Sequence, residues 1–254
     1  MLANLQNLLS LTTSELIICL AVVLLAGIVR GFSGFALSAL TMAALALIIP
    51  PLALIPICFL LECVASALMM RGGFRLADRK ISWGLAIGTI VGTPIGLMAT
   101  MNVEADTSRT IALCLILVLA LLQLFKKSPA FLATTKGLYV TGITAGIATG
   151  LASVGGMVVA LYILAQRAPA ARMRASLVMY LFLIMFSSAF WLSVSGVLDM
   201  LAVKRALAFA PLVVIGVLMG SLLFRPSLEQ FYKRFCLILL MSLALSGLVR
   251  MVLA

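Results

Sequence analysis

The chain has 254 residues, of which 65% are hydrophobic and 10% are charged, whereas soluble domains are about 45–50% apolar and about 25% charged. Apolar runs long enough to cross about 30 Å of hydrocarbon as helices recur from end to end, and the alternating pattern of membrane barrels is absent. The composition therefore predicts an all-α, polytopic protein of a bacterial inner membrane, with the lipid bilayer around it. The net charge of +11 does not indicate a nucleic-acid partner, because the basic residues form short clusters between apolar runs, as in proteins that fix their orientation in a membrane.

The chain lacks the residue patterns of metal, disulfide and enzyme sites. It contains no His, and its five cysteines lie inside apolar runs without forming a CxxC pair. We therefore expect no metal and no cofactor. With no catalytic dyad evident among the seven acids and no Walker motif, we expect neither an enzyme nor a protein that uses ATP by itself. No Lys or Arg precedes Arg30, so the first apolar run is expected to be retained rather than cleaved as a signal peptide.

Ten apolar segments follow one another along the chain. The pattern predicts them at 15–29, 33–49, 52–70, 81–101, 109–125, 137–149, 153–165, 175–195, 206–224 and 235–253. In each half, two shorter pieces separated by a Gly/Ser-rich tip precede three full-length spans. We interpret 1–127 as a first membrane repeat, 128–136 as a basic cytoplasmic linker and 137–254 as a second membrane repeat.

Matching residues in the two halves favour a duplication. Gly27 and Gly31 at the first tip lie 119 positions before Gly146 and Gly150 at the second tip. Three further matches have a similar spacing. They are Gly92 with Gly216, Gly96 with Gly220, and the four-residue stretch 114–117 with 236–239. The shared order of five elements in each half is the stronger argument for two repeats.

The distribution of basic residues predicts how the halves are oriented. If the two short pieces of each half form a hairpin that enters and leaves on one side, 13 of the 18 basic residues face the same side. They are Arg71, Arg75, Arg79, Lys80, Lys126, Lys127, Lys136, Arg167, Arg172, Arg174, Arg225, Lys233 and Arg234. The alternative, parallel repeats, requires residues 16–48 to cross once as about 50 Å of helix, which is too long for the bilayer. The positive-inside rule and the length therefore favour inverted repeats, each a glycine-broken helical hairpin followed by three transmembrane helices.

The two glycine-rich tips are the first candidates for a binding site. Helix breaks at membrane depth leave backbone groups unpaired, which is tolerated only inside protein or against a water-filled cavity. A helix that begins at such a break directs free N–H groups and a positive dipole end at its surroundings, which favours an anion. The alternative is that the small residues simply let helices pack closely. The candidate substrate-binding residues are Gly31, Phe32, Ser33, Gly34, Phe35, Gly150, Ser153, Gly155 and Gly156.

Two charged residues within the apolar segments are further candidates. Glu62 lies in the middle of a predicted span, where burying a carboxylate costs free energy unless it is protonated or paired. It is either a coupling group for protons or ions, or a structural group that hydrogen-bonds to a neighbouring helix. Arg30, at the first tip, could neutralise an anionic substrate, pair with Glu62 or extend to the lipid headgroups. Polar residues on otherwise apolar spans, among them Thr93 and Ser188, are weak signals because Ser and Thr often bond back to their own helix.

Both tips carry a resemblance to a known family. Residues 30–40 read RGFSGFALSAL and residues 150–157 read GLASVGGM. They resemble the two signatures of the TauE/SafE sulfite exporter family. The first runs G-[FL]-[ST]-G-F-G followed by apolar residues and Pro, and the second is a G-L-x-x-x-G-G-G type run with a following Pro. The length, the duplicated halves and the basic loops are also similar. Departures from the family pattern are Ala36 and Met157, which stand where glycine is usual, and the missing prolines.

The resemblance implies a secondary transporter for a small sulfur-containing oxyanion such as sulfite, a sulfonate or a related organosulfur anion. In such folds the substrate site lies between the repeats near the bilayer midplane, and access alternates around it. The expected partner is therefore a small anion, and both ion coupling and a homo-oligomer are compatible with the sequence. The alternatives are a transporter of another small anion, such as a carboxylate, and a membrane assembly factor that does not transport.

Overall fold

The computed structural model describes residues 9–73, 76–125, 134–166, 170–223 and 229–253. These described residues form helices without strands, which confirms the all-α prediction. The helices are α1 (Thr13–Ser33), α2 (Leu37–Leu45), α3 (Pro51–Gly73), α4 (Arg79–Met101), α5 (Ala105–Leu124), α6 (Thr135–Ala152), α7 (Gly155–Ala165), α8 (Ala170–Val194), α9 (Met200–Leu223) and α10 (Glu229–Leu253). Seven of them, α1, α3, α4, α5, α8, α9 and α10, are long and apolar enough to cross a membrane. The protein is therefore a multi-pass membrane protein.

Local sequence signals explain where two of the spanning helices begin. Thr12 caps α1 in a capping box: its hydroxyl accepts from the amide of Glu15, and the Glu15 carboxylate accepts from the amide of Thr12 at 2.9 Å. Asp78 caps α4, accepting from the amide of Ile81 at 3.2 Å. Such caps satisfy amides that have no partner inside the helix and so define its first turn.

The helix breaks lie three to four residues later in the chain than the sequence predicts. Helix α1 continues to Ser33, four residues beyond the predicted end, and only residues 34–36 separate it from α2. Gly34 and Ala36 both adopt the left-handed conformation, with φ of 81° and 78°. In the second half α6 continues to Ala152, and the break consists of Ser153, with φ of 57°, and Val154. The glycines before each break therefore belong to helices.

The helices of the two halves are exchanged in their packing. The fourth helix of each half packs along the first helix of the other half, α4 against α6 and α9 against α1. The third helix of each half also packs against the fourth helix of the other half, α3 against α9 and α8 against α4. The last helices of the two halves, α5 and α10, pack against each other. Each half therefore completes the other, and the breaks of both halves lie inside one bundle.

Glycines bring the exchanged helices into backbone contact. A Cβ atom placed on Gly31 of α1 would lie 2.8 Å from the Cα of Gly220 of α9. The matched residue in the second half, Gly150 of α6, would bring a Cβ atom within 2.6 Å of the carbonyl carbon of Gly96 of α4. Real Cβ atoms do not approach this closely, so both positions require glycine for helix packing.

Parts of the predicted linker and of the basic clusters lie outside the described residues. These are 128–133 of the linker, together with Arg75, Lys126, Lys127, Arg167 and Arg225. The division of the chain into 1–127, 128–136 and 137–254 stays a prediction.

Candidate functional site

A cavity lies between the two helix breaks. Among the described residues, its lining comes from the start of α2 and the start of α7, and from α3, α4, α6 and α8. The space open to the centre of a water-sized sphere is about 60 Å³. One water needs about 10–15 Å³ by the same measure, so the cavity holds roughly four to six waters or a small anion.

Five of the nine predicted substrate-binding residues line this cavity. They are Phe35 of the first break, Gly150 at the end of α6, and Ser153, Gly155 and Gly156 of the second break. Glu62 of α3 also lines it. The structure thus brings residues of both tips to one space.

The other four predicted binding residues do not line the cavity but build the first break. Gly31 packs against α9, and the ring of Phe32 lies 4.9 Å, centroid to centroid, from the ring of Tyr232. The Ser33 hydroxyl lies 2.7 Å from the carbonyl oxygen of Val29 and accepts from the Phe35 amide at 3.2 Å. It is therefore engaged within its own turn.

Gly34, the fourth of these residues, lies beneath Arg174 of α8. A Cβ atom at Gly34 would lie 2.9 Å from the Cγ atom of Arg174. Together with its φ of 81°, this close approach explains why the position requires glycine.

Arg30 and Glu62 form an ion pair inside the protein. Arg30 is fully buried, and its Nε atom lies 3.0 Å from Oε2 of Glu62, whose side chain is 16% exposed. The Nε–H group is not directed at that oxygen, so the contact is electrostatic rather than a hydrogen bond. The guanidinium also donates to the Gly34 carbonyl oxygen and, at 3.1 Å, to the Ser66 hydroxyl. Arg30 therefore pairs with Glu62 and does not extend to the headgroups.

The Glu62 carboxylate occupies the N-terminus of α2. Its Oε1 atom accepts from the hydroxyl of Ser38 at 3.1 Å and from the Ser38 amide at 3.4 Å. Ser38 is the second residue of α2, whose first amides have no partner inside the helix. An acidic side chain is stabilised there by these donors and by the helix dipole. The first break therefore already holds an anion, which belongs to the protein.

The second break has a different neighbour. Counted from the helix start, Gly156 of α7 corresponds to Ser38 of α2. The side chain nearest to a Cβ atom placed on Gly156 is that of Leu181 in α8, at 3.6 Å. Leu181 and Gly156 both line the cavity. The second residue of α7 therefore meets an apolar side chain where that of α2 meets a carboxylate, whereas the first, Gly155, lies next to the Thr149 hydroxyl oxygen.

The family model for the sulfite exporter TauE/SafE matches residues 19–247 of the 254. The chain belongs to the TauE/SafE family. No curated protein and no solved structure matches the chain. Membership of this family identifies the protein as a membrane transporter, and the cavity between the helix breaks is its candidate substrate site.

Sequence reasoning missed one residue at the first break of this TauE/SafE protein. Arg174 of α8 donates to the carbonyl oxygen of Gly31 and covers Gly34, so it joins the second half to the first break. The sequence analysis placed Arg174 in a basic loop cluster because it follows Arg172 and precedes a long apolar run. In the structure Arg172 has a different partner and pairs with Asp78 at 2.7 Å. The sequence pattern around Arg172 and Arg174 could not show this difference.

Two polar residues of the apolar spans also line the cavity of this TauE/SafE protein. Thr93 of α4 and Ser188 of α8 are both buried there. The Thr93 hydroxyl donates to the carbonyl oxygen of Thr89 at 2.8 Å, the back-bonding that made such residues weak signals. Across the described residues, no group of three or more His, Cys, Asp or Glu could hold a metal ion.

Proposed function

We propose that this TauE/SafE protein is a secondary transporter for a small sulfur-containing oxyanion, such as sulfite, a sulfonate or a related organosulfur anion. The observation that carries the proposal is the cavity of about 60 Å³ between two helix breaks from opposite halves. The start of α7 supplies amide donors to this space, and Ser153 and Ser188 line it with hydroxyl groups. An oxyanion of a few heavy atoms matches both the volume and the donors.

The proposed mechanism is alternating access around this cavity. The exchanged packing of α4 on α6 and of α9 on α1 divides the lining between two bundles, which can rock about the substrate. Inverted repeats are part of the proposal. The ion pair between Arg172 at the start of α8 and Asp78 at the start of α4 supports it, because only the hairpin arrangement predicts both basic segments on the same side.

Ion coupling is assigned to Glu62 in this proposal. Its carboxylate lines the cavity and is held by Arg30 and Ser38. A proton that reaches Glu62 through the cavity would remove the charge that Arg30 neutralises, and would so link protonation to the conformation of the first break.

Uptake into liposomes tests the proposed function. The purified full chain is reconstituted, and the entry of labelled sulfite is measured with and without a pH gradient, in competition with methanesulfonate and with acetate. We expect saturable sulfite uptake that methanesulfonate inhibits and acetate does not. Inhibition by acetate alone would identify a carboxylate transporter, and absence of any flux together with a co-purifying partner would identify an assembly factor.

A further inference from the structure

We propose that the second helix break, and not the first, holds the transported anion, and that Ser188 is one of its ligands. The proposal rests on the proposed function, since it assigns roles within the same cavity. The proposal also implies that the ligand is an oxyanion with a single negative charge. Three features of the cavity carry it: the occupied first break, the open second break and a hydroxyl group that lines the cavity without a partner.

The first break has no room for a second anion. The donors at the start of α2 are used by Glu62, whose Oε1 atom accepts from both the hydroxyl and the amide of Ser38. Arg30, the cation at this break, is fully buried and already pairs with Glu62 at 3.0 Å. An anion placed here would meet a carboxylate at close range, and like charges repel strongly inside a protein.

The second break offers the same kind of donors without an acid. Helix α7 has 11 residues and begins with Gly155 and Gly156, which both line the cavity. As the first residues of a helix, they have amides without an intrahelical partner, next to the positive end of the dipole. At Gly156 the neighbouring side chain is Leu181, which cannot accept a hydrogen bond. The Met157 amide donates to the Val154 carbonyl oxygen at 2.9 Å, so within the described residues the amides of Gly155 and Gly156 are those available to a ligand.

Ser188 supplies the independent observation. Its side chain lines the cavity and the residue is only 4% exposed. Among the described residues its hydroxyl has no hydrogen-bond partner, whereas the hydroxyl of its neighbour Ser187 bonds back to the carbonyl oxygen of Ile184 at 3.1 Å. The Ser188 oxygen is not among the fully enclosed atoms that lack a partner, so it is accessible from the cavity, where water or a ligand can complete its hydrogen bonding. An oxyanion at the second break would accept from it.

The charges around the cavity select an anion with a single charge. Among the described lining residues, Glu62 is the one charged side chain, and Arg30 neutralises it. The N-terminus of α7 contributes the equivalent of about half a positive charge. This balances a bisulfite or sulfonate group better than a doubly charged sulfate, whose second charge would have no counterpart.

The test compares neighbouring serines in reconstituted protein. Ser188→Ala should raise the KM for sulfite uptake by about ten-fold or more, since a hydrogen bond to a charged ligand is lost. Ser187→Ala should leave the KM unchanged. Ser38→Ala should have a smaller effect than Ser188→Ala, because that hydroxyl serves Glu62. In the wild type, methanesulfonate should compete with sulfite, and sulfate should compete at least ten times more weakly.

A thermal unfolding midpoint, measured for each variant in detergent, separates binding from folding. Ser188→Ala should keep the wild-type midpoint because it removes no internal hydrogen bond; Ser188→Cys, which is nearly isosteric, replaces it if the alanine variant does not fold. Wild-type protein without anion flux would overturn this proposal and the proposed function together. If the wild type transports the anion, any of three results would overturn this proposal alone. They are equal KM values for the Ser188 and Ser187 variants, a larger effect of Ser38→Ala than of Ser188→Ala, and stronger competition by sulfate than by methanesulfonate.

Discussion

Ala36 holds a backbone conformation that suits glycine. Its φ of 78° lies in the left-handed region, which costs an L-residue with a side chain about 1–2 kcal/mol. Glycine avoids that cost but loses more conformational entropy on folding. We expect Ala36→Gly to raise the free energy of unfolding by about 0.5–1 kcal/mol, seen as a higher thermal midpoint in detergent.

A matched substitution in the same helix gives the control. Ala43 is buried within α2 in ordinary helical conformation, so Ala43→Gly should lower the free energy of unfolding by about 1 kcal/mol. Opposite signs for the two changes would identify backbone strain as the cause. A loss of stability with Ala36→Gly would show that the left-handed residue carries no strain.

The ion pair between Arg30 and Glu62 predicts a non-additive pair of substitutions. Glu62→Leu leaves a fully buried guanidinium without its counter-charge, and breaking a buried pair in this way costs about 3–5 kcal/mol. Arg30→Met should be similarly costly, whereas the double variant should regain much of the loss. Thermal unfolding of the four proteins in detergent measures the coupling. Additive losses would mean that the two charges do not stabilise each other.

The sequence indicated some of these residue roles and could not indicate others. A carboxylate in the middle of an apolar span needs a partner, so the sequence indicated Glu62 as one of three alternatives for Arg30, beside an anionic substrate and the lipid headgroups. The sequence could not indicate the partner of Arg174, because that partner, the carbonyl oxygen of Gly31, lies in the other half. Ser188 differs from Ser187 only in the direction it faces, and α8 carries apolar residues on all sides, so its periodicity does not single out a face.

At the scale of elements, the paired glycines make equivalent contacts in the two halves. A Cβ atom on Gly96 of α4 would lie 2.1 Å from the carbonyl oxygen of Ile147, and one on Gly220 of α9 would lie 2.0 Å from that of Ile28. Both clashes are with backbone, which cannot move aside as a side chain can. We therefore expect Gly96→Ala and Gly220→Ala to destabilise the protein to a similar extent, by at least about 2 kcal/mol.

Gly156→Ala controls for the general effect of adding a methyl group. Its Cβ atom would have an ordinary contact of 3.6 Å with Leu181, so the thermal midpoint should stay close to that of the wild type. If Gly96→Ala unfolds no earlier than Gly156→Ala, the close approach of α4 and α6 is not required for stability.

Helix number and order could be predicted from the sequence because apolar length sets them. The positions of the breaks could be predicted only to within a few residues. Gly27 and Gly31 look like places where a helix ends, but they stay helical because α9 covers them with its own glycines. Glycine permits both a helix break and close packing between helices, so the sequence alone does not distinguish the two roles. The packing of the partner helix determines which role a given glycine has.

At the scale of the whole molecule, neither half has a complete set of neighbours. The main partner of α1 is α9 and the main partner of α4 is α6, so in each pair one helix comes from the other half. We expect a fragment that ends between 125 and 134 to misfold when expressed alone. The same fragment co-expressed with the remainder of the chain should recover a complex, measured by co-purification and by sulfite binding. Stable, monomeric folding of either fragment alone would contradict the exchanged packing.

The contrast between Glu62 facing α2 and Leu181 facing α7 bears on the history of such a chain. If the two repeats descend from one gene, the ancestor was a dimer of identical subunits, because each half needs the other to cover its helices. Identical subunits would have placed either two carboxylates or none at the shared cavity. Fusion of the genes would then have been the step that allowed the two helix starts to acquire different neighbours, an internal acid at one and an apolar side chain at the other.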